Sequence, residues 1–236
     1  MAGTITDQIL DNPVWAALSG AHRGLAERHG RAARYHHEVS PFHAVADADD
    51  PTAWADLATL AGPGAVVWMA GGTGRPPAGW TVDQQIGGVQ LVDDAAEAAD
   101  DPEALRLTTA DVPEMLDLVA RTRPGPFLAR TVELGHYLGI RRDGTLVAMA
   151  GERMRMPGWT EISAVCTAPE ARGQGLAGRL IRAVTAGIRA RGDRPMLHAA
   201  ADNIGAIRLY EALGFTLRRE VLFWSVRTPG ADPAAS

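Results

Sequence analysis

Apolar positions recur along this chain with two periods, and the switches between them mark its elements. Ile5, Ile9, Leu10, Val14, Leu18 and Leu25 fall near a 3.6-residue repeat and predict helix over residues 4–30. Asn12-Pro13 breaks or restarts it, because proline cannot continue the hydrogen-bond ladder. Residues 51–61 predict a short helix with Pro51 near its first position. Residues 65–69 predict a buried strand and 88–92 a weaker one, with a Gly- and Pro-rich loop at 71–79 between them. A strand at 105–108 precedes a helix at 111–121, with Thr109 or Asp111 as its N-cap. A short helix is predicted at 127–134. Residues 137–141 and 146–154 then form a hairpin turned at Asp143-Gly144. A strand at 160–167 leads to a helix burying Leu176, Leu180, Ile181, Val184 and Ile188 on one face. Residues 196–200 form the next strand. Residues 203–213 form the next helix, stopped by Gly214 at C′, and 215–226 supply the final strands. Residues 228–236 are expected to be a disordered tail.

The stretch 93–103 is acidic and alanine-rich and reads as a linker. It divides the chain into an N-terminal α/β lobe, 1–100, and a second unit, 104–227. Charge divides there too. Residues 1–104 hold 5 Arg against 15 acids, and residues 105–236 hold 18 Arg against 13. A basic half suits a polyanionic cofactor, and an acidic half would attract a cationic acceptor. No stripe of basic residues interleaves with aromatics, so nucleic-acid binding is not expected. No apolar run approaches the length of a membrane span, and no secretory signal is visible. The one cysteine, Cys166, rules out an intrachain disulfide and a cysteine-based zinc site. A cytoplasmic protein, monomeric or homodimeric and without a metal, is expected.

Candidate chemistry concentrates at Arg172-Gly173-Gln174-Gly175-Leu176-Ala177. Small residues at a helix entrance leave backbone N–H groups uncovered, and those groups favour a phosphate or pyrophosphate. A Walker loop is excluded because the chain contains no lysine. Gly173, Gly175 and Gly178 spell G-x-G-x-x-G, with Asp202 further on where a ribose-binding acid would stand. That reading would make a nicotinamide-dependent oxidoreductase. However, 168–172 intervene after the strand, and too little chain follows to complete a doubly wound sheet.

The third reading is coenzyme A. Residues 165–177 resemble the cofactor motif of the GNAT N-acetyltransferase superfamily, Gln/Arg-x-x-Gly-x-Gly/Ala, with Arg172, Gly175 and Ala177 in the fixed places. Residues 203–215 resemble a second block of the family, with Asn203, Tyr210 and Gly214-Phe215 in place. The resemblance implies an α/β (α+β) GNAT fold over 104–227, a mixed central sheet flanked by helices, with the N-terminal α/β lobe added. By element order alone that lobe reads as a truncated GNAT-like copy. The resemblance also implies acetyl-CoA as co-substrate and transfer to a primary amine by direct attack in a ternary complex. A coenzyme A-binding module that regulates without chemistry remains the alternative.

Residue by residue, the resemblance implies that Val165 and Thr167 offer backbone groups to the pantetheine amides, like an added strand. Arg172, Gly173, Gln174, Gly175, Leu176 and Ala177 would hold the pyrophosphate. Asn203 would cap its helix and reach the pantetheine arm. Tyr210 would protonate the departing thiolate, and Glu161, placed as in the histone-acetylating members, would be the general base. Cys166 reads as a small buried residue rather than a nucleophile. His36, His37 and His43 lack a carboxylate pattern for a metal, and His198 reads as a core or groove residue.

Overall fold

The computed structural model describes residues 8–71 and 75–230. A three-stranded antiparallel sheet, β1 (Ala26–His29), β2 (Ala32–Tyr35) and β3 (His43–Val45), stands near the start. The frame is a second, eight-stranded sheet. Its order is β4 (Val66–Ala70), β11 (Phe215–Arg227), β5 (Thr81–Asp93), β10 (Arg194–Ala200), β9 (Trp159–Thr167), β8 (Thr145–Met156), β7 (Tyr137–Arg142), β6 (Leu105–Leu107). Only the pair β9 and β10 is parallel. A mixed sheet of this kind is not the doubly wound parallel sheet that a Rossmann site requires.

Five α-helices are described: α1 (Pro13–Ser19), α2 (Pro51–Ala61), α3 (Val112–Thr122), α4 (Leu176–Ala190) and α5 (Ile204–Ala212). Helices α3, α4 and α5 share one buried cluster with the sheet, including Met115, Leu118, Leu180, Ile181, Val184 and Tyr210. In α1, Val14, Ala17 and Leu18 cluster with Met154, Met156, Trp159 and Met196 of the sheet. In α2, Trp54 and Leu57 cover Val67, Met69, Trp224 and Val226 of the outer strands. Local sequence sets these ends. Asp50 caps α2, accepting from the Thr52 N–H at 2.9 Å, and Pro51 opens the helix. Asp143 and Gly144 both take the positive φ, 50° and 80°, that the tight β7–β8 turn demands.

Several elements differ from the sequence expectation. Residues 4–7 and 72–74 lie outside the described residues. The helix expected to reach residue 30 ends at Ser19, and Ala26–His29 is strand β1. There Glu27 sits directly opposite Arg34 of β2 and pairs with it at 2.6 Å, a cross-strand contact that helical periodicity cannot reveal. The expected helix at 127–134 is only a 3-10 turn, Thr131–Leu134. The Thr131 hydroxyl accepts the Leu128 N–H at 2.7 Å, a bond that competes with helical pairing. Asp111, one of the two expected caps, stands at the N-cap of α3 without a side-chain cap bond there, and Thr108 rather than Thr109 caps the turn before it, in a capping box with Asp111. Residues 215–226 form one long strand, not several. Its antiparallel partner is β5, which is far longer than the weak strand expected at 88–92. Thr228 is not tail: its buried hydroxyl donates to the Gly62 carbonyl at 2.6 Å and accepts from the Ala65 N–H at 2.9 Å. Residues 231–236 lie outside the described residues.

The acidic stretch marks no break in the sheet. Strands before it, β4 and β5, alternate with strands after it, β10 and β11. Several of its acids are paired. Asp93 pairs with Arg189, Glu97 with Arg182 and Asp101 with Arg179, so the segment lies along α4. Acids of the first part of the chain are thus met here by arginines of the second. At its N-terminal end the segment also docks on Gly214. The Ala95 N–H donates to the Gly214 carbonyl at 3.1 Å, and Gly214 holds φ +89° with no room for a Cβ against the Ala95 carbonyl.

A chain begun at Pro102 is expected not to fold, because β10 and β11 would lose the strand that lies between them. Far-UV circular dichroism and a one-dimensional proton spectrum of that fragment check this. A native-like, dispersed spectrum would show that residues 104–227 stand alone.

Candidate active site

The site begins where two strands part. Parallel pairing of β9 and β10 runs from Trp159↔Arg194 to Ile162↔Leu197 and then stops, although both strands continue. The departure coincides with a bulge. Against β8, Ser163 pairs with Gly151 and Cys166 with Met149, so Ala164 and Val165 together oppose Ala150 alone. Ala164 takes φ +52°, a conformation that costs a non-glycine residue on the order of 1 kcal/mol or more. The bulge and the parting leave an edge of β9 without a neighbouring strand.

Into this wedge opens a cavity of about 760 Å³. Its walls are residues 162–167 of β9 on one side and His198, Ala199 and Ala200 of β10 on the other, with Asn203 and Tyr210 from the α5 segment. At one end it meets Arg172 and Ala177. There a smaller cavity of about 400 Å³ adjoins it, sharing Thr167, Arg172, Ala177 and Leu209 and adding Gly173, Gly175, Leu176 and Gly178. Gly175 is the N-cap of α4 at φ +71° and offers no side-chain cap, so the first N–H groups of the helix stay open. A Cβ built on Gly173 or Gly175 would stand in open space, which is room for an anionic ligand against the backbone. Gln174 is exposed and lines neither cavity.

Tyr210 is buried, and burial pushes its phenol up to about 12, so it carries its proton at neutral pH. Its hydroxyl has no hydrogen-bond partner among the described residues. Asn203 Oδ1 accepts the Ala206 N–H at 3.2 Å, so it caps α5 while lining the cavity. Cys166 also lines the cavity, but burial raises its thiol to about 11, which leaves little thiolate.

Glu161 does not line the cavity. It is fully buried, and both oxygens are occupied: Arg153 donates from Nε to Oε2 at 2.8 Å and from Nη2 to Oε1 at 2.6 Å. His198 donates from Nδ1 to Oε1 at 2.8 Å. The proton on Nδ1 follows from the next contact: Gln90 Nε2 lies 3.1 Å from His198 Nε2, and Gln90 Oε1 accepts from Arg218. Burial by itself would raise the Glu161 carboxyl. The Arg153 charge and its hydrogen bonds, with His198, outweigh burial and hold it down at about 2. A carboxylate that weakly basic, turned from the cavity, is poorly suited to take a proton from an amine. The geometry makes Glu161 the anchor of Arg153 and His198 instead.

The far end of the cavity comes from residues that no sequence motif marks. Phe42, Trp68 and Ile86 from the first half of the chain face Phe223 of β11. The Phe42 and Phe223 rings lie 6.2 Å apart, and His198 meets Phe223 at 5.5 Å. The Arg153 guanidinium stands 5.3 Å from the centre of the Phe42 ring. Among the described residues lining the cavity there are three arginines, Arg123, Arg153 and Arg172, and no Asp or Glu.

Comparison with known proteins agrees with this architecture. The family model described as FR47-like protein matches residues 137–224. The N-alpha-acetyltransferase RimI of Mycobacterium tuberculosis is 35% identical over 140 residues, which span 53% of this chain and 85% of that protein. A solved structure from Novosphingobium aromaticivorans, described as of the GNAT acetyltransferase family, is 43% identical with a TM-score of 0.84, covering 92% of this chain and 97% of its own. A GCN5-related N-acetyltransferase from Kribbella flavida shares the fold at 18% identity and a TM-score of 0.59, covering 94% and 98%.

Replacing Glu161 with Gln should cost about 3–5 kcal/mol at neutral pH, because the buried Arg153 would lose its counter-ion. The wild type should lose stability as pH falls from the ordinary carboxyl range near 4.5 through about 2, since Glu161 holds its proton less tightly folded than unfolded. Urea denaturation of both proteins at pH 7 and at pH 3 checks this, and the gap between them should narrow at the lower pH.

Proposed function

Because the chain belongs to the GNAT superfamily of N-acetyltransferases and is an acyltransferase, we propose that it moves an acetyl group from acetyl-CoA to an amine by direct attack. The observation that carries the reading is the continuous groove from the open N-terminus of α4, through the β9–β10 wedge, to the aromatic end. The residues present suit coenzyme A. The uncapped helix entrance at Gly173, Gly175, Leu176 and Ala177 would take the pyrophosphate, with Arg172 beside it. The bare edge of β9 at Val165 and Thr167 would take the pantetheine amides. Bound there, acetyl-CoA supplies an activated acyl carbon on a sulfur leaving group.

The chain's own residues then have three tasks. The wedge holds the thioester beside the acceptor end, where the amine approaches the acyl carbon as the carbon–sulfur bond breaks. Tyr210, protonated and without another partner, donates toward the departing sulfur. The amine must shed its proton as the bond forms, and no carboxylate among the described residues lines the cavity to receive it. This favours an amine that arrives neutral. An α-amine with a pKa near 8 is far more often neutral at physiological pH than an alkyl amine near 10. The N-alpha specificity in the name of the mycobacterial relative is consistent with that preference. A regulatory module without chemistry would have no use for an open acceptor end, and the groove runs on past β9 to Phe42 and Trp68.

Gly175→Val should weaken acetyl-CoA binding by about 2 kcal/mol or more, since a side chain there would stand between the ligand and the helix N–H groups. Calorimetry with acetyl-CoA measures it, and unchanged affinity would remove the pyrophosphate assignment.

Tyr210→Phe should lower kcat by about 10²-fold or more while leaving acetyl-CoA affinity near the wild-type value. Release of free thiol, followed with an α-amine acceptor, reports the rate. An intact kcat would reduce Tyr210 to a packing residue.

A further inference from the structure

Arg153 is bound on two of its three nitrogens. Nε and Nη2 both donate to Glu161, and Nη1 has no hydrogen-bond partner among the described residues. The side chain is only 11% exposed, and it lines the cavity. Glu161 lies behind it at 0%, away from the cavity. The pair is neutral as a whole, but its cation lines the cavity and its anion is buried away from it. Phe42 stands against the guanidinium, and Trp68 and Phe223 line the same cavity, Phe223 with its ring 6.2 Å from that of Phe42. Arg153 is on β8 beside the start of the wedge, the opposite end from Arg172.

Resting on the proposed acetyl transfer, we propose that the acceptor is a small amine that also carries a carboxylate and an apolar, preferably aromatic, side group. The carboxylate is held by Nη1 of Arg153, and the side group lies against Phe42, Trp68 and Phe223. A guanidinium edge left over from a fixed pair is a pre-oriented donor to a planar oxyanion. Among the described residues no Asp or Glu lines the cavity to hold a second ammonium, so a diamine or polyamine finds no partner there. A buried donor also penalises an acceptor that lacks the matching oxygen, because the donor would lose water and gain nothing. The arrangement thus selects by what it leaves unsatisfied as much as by what it binds.

The test compares phenylalanine, phenylalaninamide and phenethylamine as acceptors with the full-length protein and acetyl-CoA, following thiol release. Phenylalanine should exceed phenethylamine by about 10- to 100-fold in kcat/KM, with phenylalaninamide between them. Phenethylamine as efficient as phenylalanine would overturn the proposal while leaving acetyl transfer standing. An amide as good as the acid would overturn the carboxylate and point to a peptide end. A double variant, R153Q with E161Q, avoids leaving one charge buried alone. It should lose the preference for phenylalanine and keep the wild-type KM for acetyl-CoA; a retained preference overturns the role of Arg153. Affinity for the products gives a readout without turnover. N-acetylphenylalanine binding no tighter than N-acetylphenethylamine by calorimetry counts against the proposal. Failure to bind acetyl-CoA, in contrast, would count against the function on which it rests.

Discussion

A buried carboxylate sets the terms for this molecule. Glu161 is out of contact with water in the middle of the sheet, where an unpaired charge would cost several kcal/mol. Its partners form a row across five adjacent strands: Arg153 on β8, Glu161 on β9, His198 on β10, Gln90 on β5 and Arg218 on β11. Donors and acceptors alternate consistently along it. Arg218 gives to the Gln90 oxygen, the Gln90 amide gives to His198 and to the Leu10 carbonyl, and His198 gives to Glu161. Arg218 reaches Gln90 from a bulge, where β11 has one residue more than β5. A one-residue slip of any strand would break the row, so the row specifies register as well as satisfying charge. It also fixes Arg153 and His198 as walls of the cavity.

The same row explains why the two halves of the chain cannot be separated functionally. Gln90 and Leu10 belong to the first half, yet they orient the His198 ring that borders the cleft. Phe42, Trp68 and Ile86 close the far end of a groove whose near end is built by Arg172 to Gly178. The acidic segment between the halves is ion-paired along α4, whose own N-terminus opens on that groove. The two ends of the groove, proposed for acceptor and co-substrate, therefore rest on one sheet. The parting of β9 and β10 supplies the space, and the strain at Ala164 is the local cost of keeping β9 bare there.

Much of this was legible in the sequence. Tyr210 in the cleft was implied by the superfamily resemblance. The glycines at 173 and 175, the helix that follows and Asn203 as a cap are local features, read from residue type and spacing. So are the Pro51 helix and the Asp143-Gly144 turn. Their conformations are decided within a few residues, by φ preferences, capping and periodicity, and so survive without knowledge of the rest of the chain. The superfamily resemblance rested on the same local blocks.

What the sequence could not carry was who stands beside whom. Glu161 read as a base because its offset from Arg172 was right, but its chemistry is set by Arg153 and His198, brought to it across strand pairings. The acidic run read as a linker because composition cannot show that arginines of a later helix meet it. Residues 215–226 read as several strands because the partner that extends β11 lies more than a hundred residues earlier. Strand order is a long-range choice with no local signature. By itself the sequence determined the helix entrance and the chemistry available at the cleft. Only the tertiary structure decided which carboxylate is spent on holding an arginine, because pairing, burial and pKa are properties of neighbours that the fold assembles.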